Sequence, residues 1–159
     1  MAFDIVLVTP VVEGYEKCVN HSVMKAKILV VEDNPDAREL VVMVLAHAGY
    51  EVLQAANGSD ALHQASIHHP NLILMDLGLP GMQGDEVTSR IRSDPLLAMT
   101  PIVAVTAFDR NSGIVKRAIV AGVNEVLFKP TDFKTVLDVA QRFTKHTTNS
   151  QIHFLPHSA

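Results

Sequence analysis

Three carboxylates, one hydroxyl and one amine in this sequence each stand directly after a short apolar run. They are Glu32 and Asp33, then Asp76, Thr106 and Lys129. Three ionised carboxylates lie close together only when a cation balances them, and hard oxygen ligands in an open cleft suit Mg²⁺. A lysine and a hydroxyl beside that metal suit a phosphoryl group, with a carboxylate as its nucleophile. If the fold brings these side chains together, they are equipped for phosphoryl transfer to a carboxylate.

Strands and helices must alternate from residue 27 onward to position these side chains. Continuous apolar runs predict five strands, namely Ile28–Val31, Glu51–Ala55, Leu72–Met75, Ile102–Val105 and Glu125–Phe128. Apolar residues recur at helical spacing after each run. The capping signals favour helices that start after Asn34, at Ser59, at about Asp85, before Ile114 and after Thr131.

This alternation predicts an α/β fold class with a doubly wound, five-stranded parallel sheet and helices on both faces. Such sheets bind ligands beyond the carboxyl ends of their strands, where the strand order reverses. All the candidate side chains stand at such ends. We therefore expect them to converge on one shallow cleft.

Length and composition exclude several classes of protein. The chain has 159 residues, 48% of them hydrophobic, which suits one packed domain and not a disordered chain. Thirteen basic against seventeen acidic residues give a net charge of −4, which argues against nucleic-acid and membrane partners. The single cysteine, Cys18, forms no internal disulfide. We expect a reduced, cytoplasmic protein.

Both ends of the chain are expected to lie outside the domain. We assign residues 25–145 to the domain, 1–24 to an N-terminal extension and 146–159 to a flexible C-terminal tail. The run Ile5–Val8 leaves open an extra edge strand or a partner-binding arm. The tail is too short for an output domain, so we expect signalling through protein partners.

Residues 27–143 resemble the receiver domain of two-component response regulators. The resemblance rests on four segments in order: Ile28–Asn34, Met75–Gly84, Val105–Ala107 and Phe128–Pro130. It implies a flavodoxin-like (βα)5 fold with strand order 2-1-3-4-5. It also implies a domain that catalyses its own phosphorylation and dephosphorylation.

The resemblance also implies a role for each candidate residue. Asp76 would be the phosphoacceptor, and Mg²⁺ would be bound by Glu32, Asp33, Asp76 and the backbone carbonyl of Gly78. The phosphoryl group would come from a histidine kinase or a histidine phosphotransfer protein. The domain would be a monomer or a weak homodimer. It would act on a downstream protein that the sequence does not identify.

Two further residues would contact the phosphoryl group. Thr106 would bond one of its oxygens and move toward it on activation, and Lys129 would pair with it. The Lys129–Pro130 peptide would be cis. The glycines Gly78, Gly81 and Gly84 would let the adjoining loop bend around the site.

The sequence departs from the family at one position. The family carries Tyr or Phe three positions before its lysine, and Val126 stands there instead. Phe128 is expected to point elsewhere, because neighbours on a strand alternate faces. Gly78 and Phe108 occupy the positions that in the family tune the lifetime of the phosphoryl group, and their net effect is left open.

Three alternatives belong to other functional classes. A receiver-like binding module would work without phosphorylation, which makes the complete acid, hydroxyl and lysine set superfluous. A phosphohydrolase with an aspartyl nucleophile would need a second Asp where Gly78 stands. A flavodoxin-like cofactor binder would need a phosphate loop where Glu32 and Asp33 stand, and their charges would repel the phosphate.

Overall fold

A computed structural model describes residues 25–145. The expectations for residues 1–24 and 146–159 lie outside this range. The strands are β1 (Lys27–Val31), β2 (Glu51–Ala55), β3 (Leu72–Met75), β4 (Ile102–Thr106) and β5 (Glu125–Phe128). The helices are α1 (Pro35–His47), α2 (Gly58–His68), α3 (Gly84–Ser93), α4 (Gly113–Ala121) and α5 (Phe133–Thr144).

The five strands form one parallel sheet in the order β2-β1-β3-β4-β5. This arrangement confirms the predicted fold class and strand order. The order reverses between β1 and β3, whose last residues, Val31 and Met75, stand side by side. Met75 in turn pairs with Ala104 of β4, and Thr106 pairs with Phe128 of β5. The register therefore brings the ends of four strands to one edge, which we name the carboxyl edge.

Alternating side chains of the strands build a core on each face of the sheet. Ile28 and Val30 of β1 pack toward α1 and α5, together with Val136 and Val139 of α5. The intervening Leu29 belongs to the cluster on the other face, which α2 and α3 cover. A third cluster lies under α4. Both faces of the central strands are therefore buried, as their continuous apolar sequences predict.

Capping residues determine where α1 and α5 begin. Asn34 caps α1 by accepting the amide of Ala37 at 3.0 Å. The expected cap of α5 at Thr131 is wrong, because Asp132 accepts the amide of Thr135 at 2.7 Å. The Thr131 hydroxyl instead donates to the carbonyl of Phe128 at 2.9 Å, which holds the loop before α5.

Asparagine side chains join the strands at the opposite edge, which we name the amino edge. Asn71 and Lys27 exchange two bonds: the Lys27 amide donates to the Asn71 side chain, and the Asn71 amide donates to the Lys27 carbonyl. Asn124 and Ile102 make the same exchange between β5 and β4. Within residues 25–145, no helix is both long and apolar enough to span a membrane.

Arg92 completes the amino edge. Its guanidinium donates to the carbonyls of Ala98, Thr100 and Gly122 and to the side chain of Asn124, at 2.8–3.0 Å. Burial in this environment lowers the pKa of Arg92 below its ordinary value. The residue ties the loop after α3 to the loop after α4.

Candidate functional site

The carboxylates of Glu32, Asp33 and Asp76 lie together at the carboxyl edge. Each offers one oxygen, and these oxygens all lie within 4.8 Å of one another. The cause is the pairing of β1 with β3, which sets residues 32 and 76 just beyond two adjacent strand ends. Glu32 and Asp76 are mostly buried, whereas Asp33 is exposed. The acidic residues that the sequence singled out thus form one group.

Lys129 bridges two of these acids. Its Nζ donates to Glu32 Oε2 and to Asp76 Oδ2, both at 2.6 Å. Burial lowers the pKa of Lys129, but the hydrogen bonds and charges of Asp76 and Glu32 outweigh it, so the pKa is raised. The lysine is therefore fully charged at neutral pH. One ammonium against three carboxylates still leaves an excess of two negative charges among these groups.

The loop after Asp76 closes around that carboxylate. The Gly78 amide donates to Asp76 Oδ1 at 2.9 Å. Gly81 has a φ of +74°, which favours glycine. A Cβ at Gly84 would lie 2.7 Å from the Asp76 carbonyl, so only glycine fits at the start of α3. The expected bend of the glycine-containing loop around the site is confirmed.

Thr106 and Lys129 are held next to each other by the backbone. The Lys129 amide donates to the Thr106 carbonyl at 2.8 Å, and the Lys129–Pro130 peptide is cis, as the resemblance implied. Thr106 is fully buried, and its Oγ1 accepts the amide of Phe108 at 3.3 Å. The hydroxyl is thus tied to the β4–α4 loop, which makes its position sensitive to that loop.

Phe108 lies against the backbone beside the candidate phosphoacceptor. A Cβ at Gly78 would come 3.1 Å from the Phe108 ring and 3.6 Å from Asp76 Oδ1. The ring therefore occupies space that a side chain at Gly78 would otherwise fill. The contact places the ring near the Asp76 carboxylate, so we expect the ring to restrict access of water to Asp76.

The expectation that Phe128 points elsewhere than Val126 is wrong. Residues two apart on a strand share a face, and both side chains pack against the cluster under α4. That cluster consists of Leu77, Ala104, Ile114, Val115 and Ala118. The guanidinium of Arg110, in the β4–α4 loop, lies 5.0 Å from the centre of the Phe128 ring.

An apolar cleft of about 270 Å³ opens beside the acidic group, between α1 and α5. Its walls include Leu40, Val105 and Phe133, and it reaches Asp76 and Lys129. Leu40 and Phe133 are 52% and 45% exposed, although helical spacing placed both on an apolar face. The sequence indicated which face is apolar but not that part of it stays uncovered.

Two arginines near the site were missed from the sequence. Arg38 donates from its guanidinium to the Glu32 carbonyl at 2.6 Å and so fixes the segment that carries two acids. Arg110 contacts Phe128. Both contacts depend on how a loop meets a helix or a strand, and no local sequence pattern marks them.

The doubly wound sheet, with an acidic group and a lysine at its switch point, defines an α/β domain of the flavodoxin-like class. The family model of the response regulator receiver domain matches residues 28–141. The chain therefore belongs to the receiver domain family of two-component signalling.

Curated relatives and solved structures agree with this assignment. The polar-differentiation response regulator DivK of Brucella abortus is 41% identical over 85 residues, which are 54% of this chain and 69% of that protein. The transcriptional regulatory protein CrdR of Helicobacter pylori is 36% identical over 76% of this chain and 55% of its own length.

Two solved structures are similar to this chain in both fold and sequence. The chemotaxis protein CheY4 of Vibrio cholerae has a TM-score of 0.69 and 33% identity, over 75% of this chain and 98% of its own. The receiver domain of the sensor histidine kinase PA1611 of Pseudomonas aeruginosa has a TM-score of 0.71 and 32% identity, over 76% and 98%. The PA1611 structure holds a magnesium ion in its active-site cleft.

Proposed function

We propose that residues 25–145 form a phosphoacceptor domain in which Asp76 accepts a phosphoryl group from a histidine kinase or a histidine phosphotransfer protein. One observation carries this proposal: the oxygens of Glu32, Asp33 and Asp76 lie within 4.8 Å, and Lys129 contacts two of those acids. Such a group combines a nucleophile, a cation site and a fixed positive charge.

The donor set fits Mg²⁺. Three carboxylates with an excess of negative charge, one of them exposed to solvent, suit a hard cation that retains several waters. Glu32, Asp33 and Asp76 would hold the ion together with the carbonyl of Gly78. When bound, Mg²⁺ supplies charge neutralisation for the carboxylates and the phosphoryl oxygens.

The transfer is a displacement at phosphorus. A carboxylate oxygen of Asp76 forms a bond to phosphorus as the bond from phosphorus to the donor imidazole nitrogen breaks, and the imidazole leaves with that electron pair. Lys129 stabilises the negative oxygens, and the Thr106 hydroxyl donates to one of them. The protein supplies alignment and charge, because the donor already carries the energy of the transfer.

The apolar cleft supports docking of the phosphodonor protein. It adjoins Asp76 and Lys129, and its exposed Leu40 and Phe133 offer the apolar contact area that protein interfaces use. A donor histidine on a helix that fills this cleft would stand next to Asp76. We further propose that the domain acts in the cytoplasm and passes its signal on through contact with another protein.

Incubation with Mg²⁺ and acetyl phosphate, read by intact mass, tests the proposal. One added phosphoryl group is expected, and it should be lost in Asp76→Asn. The matched control is Asp94→Asn, which changes an acid at the amino edge and should leave the adduct intact. An equal adduct in Asp76→Asn contradicts the proposal. The proposal is also contradicted if wild-type protein gains no adduct from acetyl phosphate and no thermal stability from beryllofluoride. That outcome favours a binding module that works without phosphorylation.

A further inference from the structure

We propose that Arg38 is a positioning residue for the metal site, which directs the Asp33 carboxylate by holding the peptide group that joins Glu32 to Asp33. This inference rests on the proposed function, because it concerns how Glu32, Asp33 and Asp76 would hold Mg²⁺. The contact that carries it is the hydrogen bond of 2.6 Å from Arg38 Nη1 to the Glu32 carbonyl. Arg38 acts on the site through this backbone group.

The partner of the Arg38 guanidinium is a backbone carbonyl. The guanidinium reaches the segment that carries two acids, yet within residues 25–145 it forms no ion pair with a carboxylate. A charged donor makes a stronger hydrogen bond than a neutral one. The side chain is also half-buried, which limits competition from water. The bond is therefore well suited to fix the orientation of one carbonyl.

The orientation of that carbonyl determines the path of the backbone into Asp33. The Glu32 carbonyl and the Asp33 amide belong to one planar peptide group, so fixing the first fixes the second. On the other side of Glu32, its amide donates to the carbonyl of Ala55 at 3.1 Å. The backbone around Glu32 is thus held from β2 on one side and from α1 on the other.

Asp33 depends on this support more than the other two acids do. The carboxylates of Glu32 and Asp76 both accept Lys129 Nζ at 2.6 Å, so their side chains are held directly. The Asp33 side chain is exposed and makes no hydrogen bond or ion pair among residues 25–145. Only the backbone of Asp33 therefore keeps its carboxylate close to the other two.

The first turn of α1 makes Arg38 a firm anchor. The Arg38 amide donates to the Asn34 carbonyl at 3.0 Å, and the Asn34 side chain accepts the Ala37 amide at 3.0 Å. From this turn the guanidinium reaches back to Glu32, so the chain between residues 32 and 38 closes on itself. Without that bond, Mg²⁺ would have to order the segment when it binds, and such ordering weakens binding.

Positioning by Arg38 and repulsion by its charge have opposite effects on metal binding. A guanidinium near a metal site repels Mg²⁺, so loss of the charge alone should strengthen binding. Loss of the bond to the Glu32 carbonyl should weaken binding, because Asp33 is no longer directed toward the ion. The sign of the change in Mg²⁺ affinity therefore separates the two roles.

Titration of the unphosphorylated full chain with magnesium chloride alone, followed by amide shifts in ¹H–¹⁵N NMR spectra, tests the inference. Arg38→Ala should bind Mg²⁺ about 10-fold more weakly than wild type. Arg38→Lys, which keeps a charged donor, should recover most of the affinity. The matched control is Arg142→Ala, which removes the same charge from a pair with Glu125 at 2.9 Å on the α5 side and should bind Mg²⁺ as wild type does.

Urea denaturation of the same variants identifies a merely structural role. Arg38→Ala that loses stability but keeps the wild-type Mg²⁺ affinity overturns the inference, and so does tighter binding. If Arg38→Ala does not fold, Arg38→Gln, which is neutral and keeps a shorter donor, takes its place under the same criteria. These outcomes leave the proposed function standing when acetyl phosphate still gives its adduct. If wild-type protein binds no Mg²⁺ the inference fails, and if it also gains no adduct the proposed function fails with it.

Discussion

The amino edge and the carboxyl edge of the sheet differ in how their polar side chains are paired. At the amino edge, the polar groups of Asn71, Asn124 and Arg92 bond to backbone groups or to each other. At the carboxyl edge, the oxygens of the acids at positions 32, 33 and 76 lie within 4.8 Å of one another, and Lys129 pairs with only two of these acids, Glu32 and Asp76.

The difference separates stability from function. Hydrogen bonds that pair polar side chains with nearby backbone groups hold loops in place and take up groups that could otherwise bind a ligand. Carboxylates held close together with too little positive charge raise the free energy of the site until a cation binds. The amino edge thus pairs its polar groups within the fold, whereas the carboxyl edge keeps an excess of acidic groups, which is why we propose it as the site of an ion and a phosphoryl group.

Lys129→Met should cause the largest functional change. Removal of the one ammonium from the carboxyl edge takes away a charge that stabilises the transferring oxygens, so phosphorylation by acetyl phosphate should slow by about 100-fold. Intact mass against time measures the rate. Lys116→Met, on the exposed side of α4, should keep the wild-type rate. A rate in Lys129→Met equal to that of wild type would remove the lysine from the proposed mechanism.

Arg92→Ala should destabilise the fold at the amino edge. Loss of the charged donor removes one hydrogen bond from each of three carbonyls and one from the Asn124 side chain, which keeps its bond from the Ile102 amide. The free energy of unfolding should fall by about 2 kcal/mol, as measured by urea denaturation. The phosphorylation rate of the folded protein should stay unchanged.

Arg90→Ala is the control for Arg92→Ala. Arg90 pairs with Glu86 on the exposed side of the same helix, at 2.8 Å. Loss of such a pair should cost about 0.5 kcal/mol or less. Equal effects of the two variants would show that Arg92 is not what joins the loops of the amino edge.

Phe108→Ala should have a smaller effect, on the lifetime of the phosphoryl group. Without the ring beside Gly78, water reaches Asp76 more readily, and dephosphorylation should become several-fold faster. Decay of the phosphorylated mass measures this rate. Leu96→Ala removes an exposed apolar side chain from the loop after α3 and should leave the decay unchanged. Slower decay in Phe108→Ala would reverse the assigned direction.

Asp132→Asn should give the smallest effect, a change in how the melting temperature depends on pH. Hydrogen bonds from the Thr135 amide and side chain lower the pKa of this α5 cap below its ordinary value of 3.8. The cap therefore stabilises the fold above the ordinary pKa, and the stabilisation is lost as pH falls through the lowered value. Melting temperatures between neutral and acidic pH should fall less steeply in Asp132→Asn. An unchanged slope would rule out this carboxyl as a source of the pH dependence.

The sequence predicted the carboxyl edge far better than the amino edge. Continuous apolar runs locate the ends of parallel strands, so the amino-acid pattern alone identifies Asp76, Thr106 and Lys129 as strand-end residues. Asn71 and Asn124 also flank strands, but an asparagine before a strand is typical of an ordinary loop. Their partners come from strands 44 and 22 positions away, which no local pattern encodes.

Two errors show the same limit at short range. Thr131 and Asp132 are adjacent and both are suitable caps. The Thr131 hydroxyl donates to the Phe128 carbonyl, and Asp132 caps the helix. Alternation sets Phe128 apart from its neighbour Lys129, but the two-residue spacing from Val126 puts the side chains of Phe128 and Val126 on one face.

We propose that the carboxyl edge directs a phosphoryl group to Asp76 with the help of Mg²⁺. Protein treated with acetyl phosphate and Mg²⁺ can be reduced with borohydride, which converts an aspartyl phosphate to homoserine, and then mapped by peptide mass spectrometry. We predict homoserine at position 76 alone, in wild-type protein and in Arg92→Ala, and none when the metal is chelated. Homoserine at another carboxylate, or equal labelling without Mg²⁺, would contradict the account.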